Sequence, residues 1–424
     1  MIDRVNGPII NKDFDLTVKN LESSTLSNGI KVYELNNGTQ DIVKIDIIFK
    51  SGRVNETKIA ASKAAISLLR EGSSSKNSQE LAKLYDFYGC SVKLSAGIEY
   101  SSITLVCLTR YFDKIWPEWL NMVLEPAYSE DEIVKYKNVT SQRLKDQISK
   151  NEIISYRMIT EKMFGSDHPY GYNTEPENIQ SITKEDILNF YKNNCQFDNC
   201  FITLSGNYND SIRKTILDDF SKIKHKSTPQ LNVFPTPTFT NETLKIATKN
   251  EAQASIKLGC LWVERQHKDF NKLKFLNTVL GGYFGSRLMK NIREEKGYTY
   301  GIYSSFDGWD KGGSFYVSTD VSNEFIDPTL EEIYKEIEVL KNKPVDISEI
   351  DMVKNYILGQ SLHLIDGPFA TAQLIKSLYG TNQSIEGFYK NIREVKEITQ
   401  NDILEMANKY LQKESFLTVL VGNM

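Results

Sequence analysis

One internal repeat constrains this chain more than any other feature. The segment "SITKEDILNFYKNNCQFDNCFITLSGN" from Ser181 aligns without a gap to "EITQNDILEMANKYLQKESFLTVLVGN" from Glu397. Thr183 matches Thr399 and Gly206 matches Gly422, both at an offset of 216 (399 − 183 and 422 − 206) in a chain of 424 residues. Each copy has the same grammar: a Thr N-cap with an acid three residues on, an amphipathic helix, then a short apolar strand ending in Gly-Asn. A repeat at half the chain length predicts a duplicated domain of roughly 200 residues. The stretch "KHKSTPQLNVFPTPTFTNETLK", with Pro229, Pro235 and Pro237, disfavours helix and reads as an extended linker. We place the first domain at 1–226, the linker at 227–241 and the second domain at 242–424.

Within each half the strands come early. In "DIVKIDIIFK", alternation puts Val43, Ile45, Ile47 and Phe49 on one face, and "SIKLGCLWV" from Ser255 is its counterpart. A helix follows each strand, "KIAASKAAISLLREG" and "FNKLKFLNTVLGG". Strand pairs then follow, "SVKLSAGIEYSSITLVCL" and "YTYGIYSSF" with "GGSFYVSTDV", before long helical stretches lead to the repeated ending. Gly-containing turns between paired strands predict a mostly antiparallel sheet. Helices grouped in sequence predict that they pack on one face, so each half is α+β.

Lys plus Arg number 51 and Asp plus Glu 55, a net charge of −4, too balanced to argue for nucleic acid or an anionic membrane as partner. No apolar run approaches the ~18 residues of a membrane helix. The start, "MIDRVNGPIINKDFDL", is charged throughout and does not read as a secretory signal. Cys90, Cys107, Cys195, Cys200 and Cys260 are odd in number and lack regular pairing, which fits reduced thiols in a cytoplasmic protein.

Four histidines, His168, His225, His267 and His363, stand too far apart to form a helical metal-binding pair. His168 in "SDHPYGYN" reads as a loop or capping residue, His225 as a solvated linker residue and His363 as a packed or half-exposed helical one. The segment "LGGYFGSRLMKNIREEKGYTYG" from Leu280 lacks the Gly-Lys-Ser/Thr ending of a phosphate loop. Gly281 and Gly282 end one helix, Ser286 caps a short second one and Gly297 ends that. A following strand puts Tyr298 and Tyr300 on one face and Thr299 on the other. Arg293, in the last helical turn, then approaches one of these tyrosines. Two readings stand: a cation and phenol that bind a peptide carbonyl or its oxyanion, or an Arg that neutralises a helix end beside packed tyrosines.

Four segments in order resemble the pitrilysin family of zinc metallopeptidases, which includes insulysin and the mitochondrial processing peptidase. They are "SSTLSNGIKVYELNN", "LLREGSSSKNSQELAKLYDFYGCSVKLSAG", "HPYGYNTEPENIQSITKEDILNFYKNN" and "GSRLMKNIREEKGYTYGIYSS". The resemblance implies duplicated α/β rolls. It also implies an inverted His-x-x-Glu-His zinc motif on the helix before the "Leu-Leu-x-x-Gly" turn, with two ligands and a general base. Aligned on Gly72, those positions hold Lys63, Ala64, Ala65, Ile66 and Ser67. The family's third ligand, a Glu, falls near Gln142, Arg143 and Leu144, where no carboxylate stands. By contrast, Arg293 and Tyr300 match the family's substrate-binding Arg and Tyr, with Tyr298 where Leu is common.

Some bacterial members divide these parts between two chains. The resemblance therefore implies a non-catalytic subunit of a heterodimeric zinc endopeptidase. It would carry no cofactor itself, close the peptide chamber, and offer Arg293 and Tyr300 to the substrate of a zinc-bearing homologous subunit. The alternatives are a scaffold or peptide-binding homodimer without proteolysis, and a metalloenzyme built from other residues.

Overall fold

The computed structural model describes residues 14–224, 234–235, 237, 241–248 and 252–423. The linker at 227–241 lies mostly outside the described residues, as does His225.

The first half begins with β1 (Glu22–Thr25), β2 (Lys31–Leu35), β3 (Ile42–Phe49) and α1 (Ala61–Ser67). It continues with α2 (Ser78–Phe87), the hairpin β4 (Ser91–Ala96) and β5 (Ser101–Leu108), and α3 (Phe112–Leu124). Then come α4 (Glu130–Gln147), α5 (Asn151–Phe164), α6 (Pro176–Ser181), α7 (Lys184–Asn194), β6 (Cys200–Gly206) and α8 (Asp210–Ser221). The second half holds β7 (Thr243–Ala247), β8 (Gln253–Trp262), α9 (Phe270–Leu280), a π-helix at Met289–Glu295, β9 (Ile302–Trp309) and β10 (Gly312–Ser322). It closes with α10 (Ile326–Asn342), α11 (Ile347–His363), α12 (Gly367–Gly380), α13 (Ile385–Glu397), α14 (Gln400–Tyr410) and β11 (Leu417–Gly422).

Among the described residues the two halves build two sheets, ordered β1-β2-β6-β3-β5-β4 and β7-β11-β8-β10-β9. All neighbours are antiparallel except one parallel pair in each sheet, β2 with β6 and β11 with β7. The α+β reading and its duplication are borne out. The repeated ending is capped alike in both copies. Asp186 N donates to Thr183 Oγ1 (3.1 Å) and Thr183 N to Asp186 (2.9 Å); Thr399 and Asp402 repeat this at 3.2 and 2.9 Å.

Val43, Ile45, Ile47 and Phe49 are fully buried in the first core, among residues of α1, α3, α7 and α8. The expectation of helices on one face needs one addition, because the other face is also covered, by a helix of the other half. α12 lies across β2, β3 and β6, while α5 lies across β8 and β11. These two helices are copies of one another. Both ends are displaced by 216 (367 − 151 and 380 − 164), the offset of the sequence repeat. Ile375 of α12 packs with Tyr33, Ile48 and Phe201; Ile159, Met163 and Phe164 of α5 pack with Leu417, Val419 and Val421. Each half thus completes the other's core.

Polar contacts also join the halves. Glu99, in the β4–β5 turn, pairs with Arg265 at 3.0 Å and accepts from Asp310 N at 2.6 Å. Asp46 of β3 is wholly buried and faces α12. It accepts from Thr104 (2.5 Å), Thr203 (3.0 Å) and Lys376 of α12 (3.3 Å), and pairs with Lys44 at 3.2 Å.

Candidate functional site

α1 is held at its start by Glu56, whose carboxylate accepts from Ala60 N (3.1 Å) and Ser62 N (3.0 Å). A carboxylate there offsets the positive end of the helix. Helical spacing then divides the helix into two faces. Ala61, Ala64, Ala65 and Ile66 enter the core, and Ile66 is 0 % exposed. Lys63 and Ser67, one turn apart, turn instead to a cavity of about 550 Å³. Tyr136, Thr140, Arg143 and Leu144 of α4 form its far wall. Burial pushes the Tyr136 phenol up to about 12.

These residues do not fit a zinc ion. Ammonium, aliphatic and hydroxyl groups stand where imidazoles and a carboxylate are needed. Four cations line the cavity, Lys63, Arg70, Lys135 and Arg143, against Glu71 and Glu132. Arg70 pairs with Glu71 (3.2 Å) and Lys135 with Glu132 (2.9 Å). Among the described residues Lys63 and Arg143 have no carboxylate partner, and no three His, Cys, Asp or Glu groups converge as a metal site. A metal cation would meet like charge here.

Arg293 and Tyr300 do not line this cavity, whose walls all come from the first half. They do meet each other. Arg293 Nε donates to the main-chain carbonyl of Tyr300 at 3.0 Å, and its guanidinium lies 4.8 Å from the Phe284 ring centre. Tyr300 is 93 % exposed. Around it the structure corrects two expectations. Residues 298–301 are not strand, because the Thr299 hydroxyl accepts from Gly301 N (3.1 Å) and donates to Asp320 O (2.8 Å) in place of a ladder. Tyr298 stacks on Phe325 (4.7 Å) instead of accompanying Tyr300. Ser286 precedes the helical segment, but its hydroxyl caps nothing: it is buried without a partner among the described residues. Gly281 after α9 and Gly297 (φ +68°) after the π-helix do end their segments as read.

His168 is buried in its loop, where its Nδ1 accepts from Tyr170 N (3.1 Å); His363 is exposed. The five cysteines are free. Cys90 and Cys107 are nonetheless neighbours, one step beyond the Ser91–Val106 pair of the β4–β5 hairpin. A hydrogen bond from Cys107 holds the Cys90 thiol below its usual range. The turn at Gly97–Tyr100 was the available signal, since 90 and 107 are equidistant from it.

The duplicated rolls define a metallopeptidase-type fold, and its expected metal position holds no metal-binding set. Residues 181–357 match the family described as the peptidase M16 inactive domain. That match agrees with the pitrilysin-like segments, and the chain carries no imidazole or carboxylate at the positions those segments assign to zinc. It is 24% identical over 412 residues to a Bacillus subtilis protein named uncharacterized zinc protease YmxG, covering 94% of this chain and 98% of that one. It is 23% identical to the non-peptidase homolog YmxG of Helicobacter pylori, over 74% of each chain. The peptidase M16 inactive domain from Pseudomonas fluorescens shares the fold at a TM-score of 0.86 and 22% identity, covering 96% of this chain and 98% of that one. The Escherichia coli periplasmic protease PqqL matches at 0.80 and 15% identity, over 100% of this chain but 49% of its own. Among the described residues no helix is long and apolar enough to cross a membrane.

Proposed function

We propose that this chain is the non-catalytic subunit of a two-chain zinc endopeptidase of the cytoplasm. A homologous partner supplies zinc and general base. This chain closes the peptide chamber and offers Arg293 and Tyr300 to the substrate. The observation that carries the reading is a contrast between two regions. Lys63, Ile66 and Ser67 offer neither the imidazoles nor the carboxylate that zinc and a general base need. Tyr300 meanwhile stays almost wholly exposed, beside an Arg that fixes its carbonyl. An exposed tyrosine contributes little to the fold and is free to contact another molecule. The half-length match to a protease adds support, since two units of this size equal that protease in length.

Co-expression with a homologous chain carrying His-x-x-Glu-His tests the proposal. The expected result is a stable complex that cleaves peptides and contains zinc, while this chain alone does neither. Stoichiometric zinc on this chain alone, or a homodimer that ignores such partners, would overturn it.

A further inference from the structure

A second cavity, of about 390 Å³, lies between the first sheet and α12. Its polar lining is Lys44, Asp46, Lys93, Ser95, Ser102, Thr104, Gln373 and Lys376. Three ammonium groups therefore face one carboxylate. Asp46 is already saturated by two hydroxyls and two lysines. Lys93 of β4, directly across from Thr104, has no partner among the described residues. Ser102 is 1 % exposed, and its hydroxyl finds no partner among the described residues. Lys44 and Lys376 are themselves largely withdrawn from water, with side chains 12% and 10% exposed. Withdrawing several cations around one anion is costly unless a further anion joins them.

We propose that this cavity binds a phosphate-class dianion, free or carried as an organic ester. The net charge of the lining, three ammonium groups less one carboxylate, matches a dianion and exceeds a monocarboxylate. Lys44, Lys93, Lys376 and the idle Ser102 hydroxyl supply convergent donors for its oxygens. Phe369 of α12 offers an apolar wall to the body of an ester. Since Lys376 comes from the second half and the other donors from the first, the bound anion ties the halves together and stabilises the folded chain.

The test uses the full chain with inorganic phosphate against chloride at matched ionic strength, read by melting temperature and titration calorimetry. Phosphate should raise the melting temperature and bind in a saturable way. Lys93→Ser, at an exposed side chain, should weaken phosphate by about tenfold or more, and Ser102→Ala by about threefold. Lys145→Ser, a surface control on α4, should leave binding unchanged. Glycerol 3-phosphate binding tighter than phosphate identifies an ester ligand; equal binding identifies free phosphate. No effect of phosphate beyond chloride, or wild-type affinity in Lys93→Ser, would overturn the site. So would an equal loss in Lys145→Ser, which would mean nonspecific charge attraction.

Discussion

Asp46 and Lys257 occupy one position of the repeat, with opposite charges. Asp46 pairs across the sheet with Thr203, and Lys257 with Val419, which is Thr203 displaced by 216 (419 − 203). The exchanged helices answer each differently. α12 brings Lys376 to Asp46; at the equivalent place on α5 (376 − 216) stands Thr160, whose hydroxyl turns back to Tyr156 O at 3.0 Å. Asp46 is thus a shared counter-charge, and Asp46→Asn leaves Lys44 and Lys376 withdrawn from water without one. The expected loss is about 3–5 kcal/mol in urea unfolding; an unchanged midpoint would show that the cluster contributes nothing. Lys257 is the reverse case. It is 1 % exposed, among the described residues reaches only the Ser318 hydroxyl, and burial pulls its ammonium below the usual lysine range. Lys257→Met should therefore stabilise the protein by about 1–3 kcal/mol at pH 7. With the folded value depressed, the unfolded chain holds the proton more tightly, so wild-type stability gains from this group as pH rises toward the ordinary lysine value near 10.5. The advantage of Lys257→Met should shrink over that window, and a constant advantage would assign the effect to packing alone.

At the scale of elements, the exchange of α5 and α12 makes the two halves one cooperative unit. Ile375 is 0 % exposed in α12, yet its neighbours Tyr33, Ile48 and Phe201 belong to the first sheet. Ile375→Ala should cost about 2–5 kcal/mol through the lost side chain and the cavity left behind. Trp116 and Trp119 lie in the first core and Trp262 in the second. Fluorescence from each core should therefore shift to the same new midpoint, as all-or-none unfolding requires; a second-half transition moving alone would separate the halves. This linkage was not legible in the sequence. The alternation of Val43, Ile45, Ile47 and Phe49 identified the face covered by this half's own helices because burial there follows a local period of two. The opposite face carries Lys44 and Asp46, and local pattern does not record that a helix more than 300 residues away covers it. The capping boxes were legible because their bonds span three residues. The strand expected at Tyr298–Gly301 failed because the Thr299 hydroxyl replaced the ladder bonds. The lost zinc set could be read because it rests on residue identity alone. The approach of Arg293 to Tyr300 was legible as well, but not its contact with the main-chain carbonyl, because the segment winds as a π-helix, with Lys296 N bonded to Asn291 O (3.0 Å).

For the whole molecule, the question is whether Arg293 and Tyr300 serve this chain or another. Their surroundings allow a clean separation. Tyr300 meets Arg293 through its carbonyl, and its ring stands in solvent, so Tyr300→Phe should leave the melting temperature of the isolated chain unchanged within about 0.5 kcal/mol of stability. Arg293→Lys keeps a positive charge but loses the planar fork that can hold Tyr300 O and still reach outward. In a complex with a zinc-bearing partner, the same substitutions remove or misplace donors aimed at charge developing on a peptide carbonyl. That kind of stabilisation acts in the transition state more than in the bound ground state. Each should lower kcat by about tenfold or more with little change in KM. A rise in KM at constant kcat would instead mean simple peptide binding. Full turnover in both variants would mean that the pair persists without a role in catalysis, and the scaffold reading would then take its place.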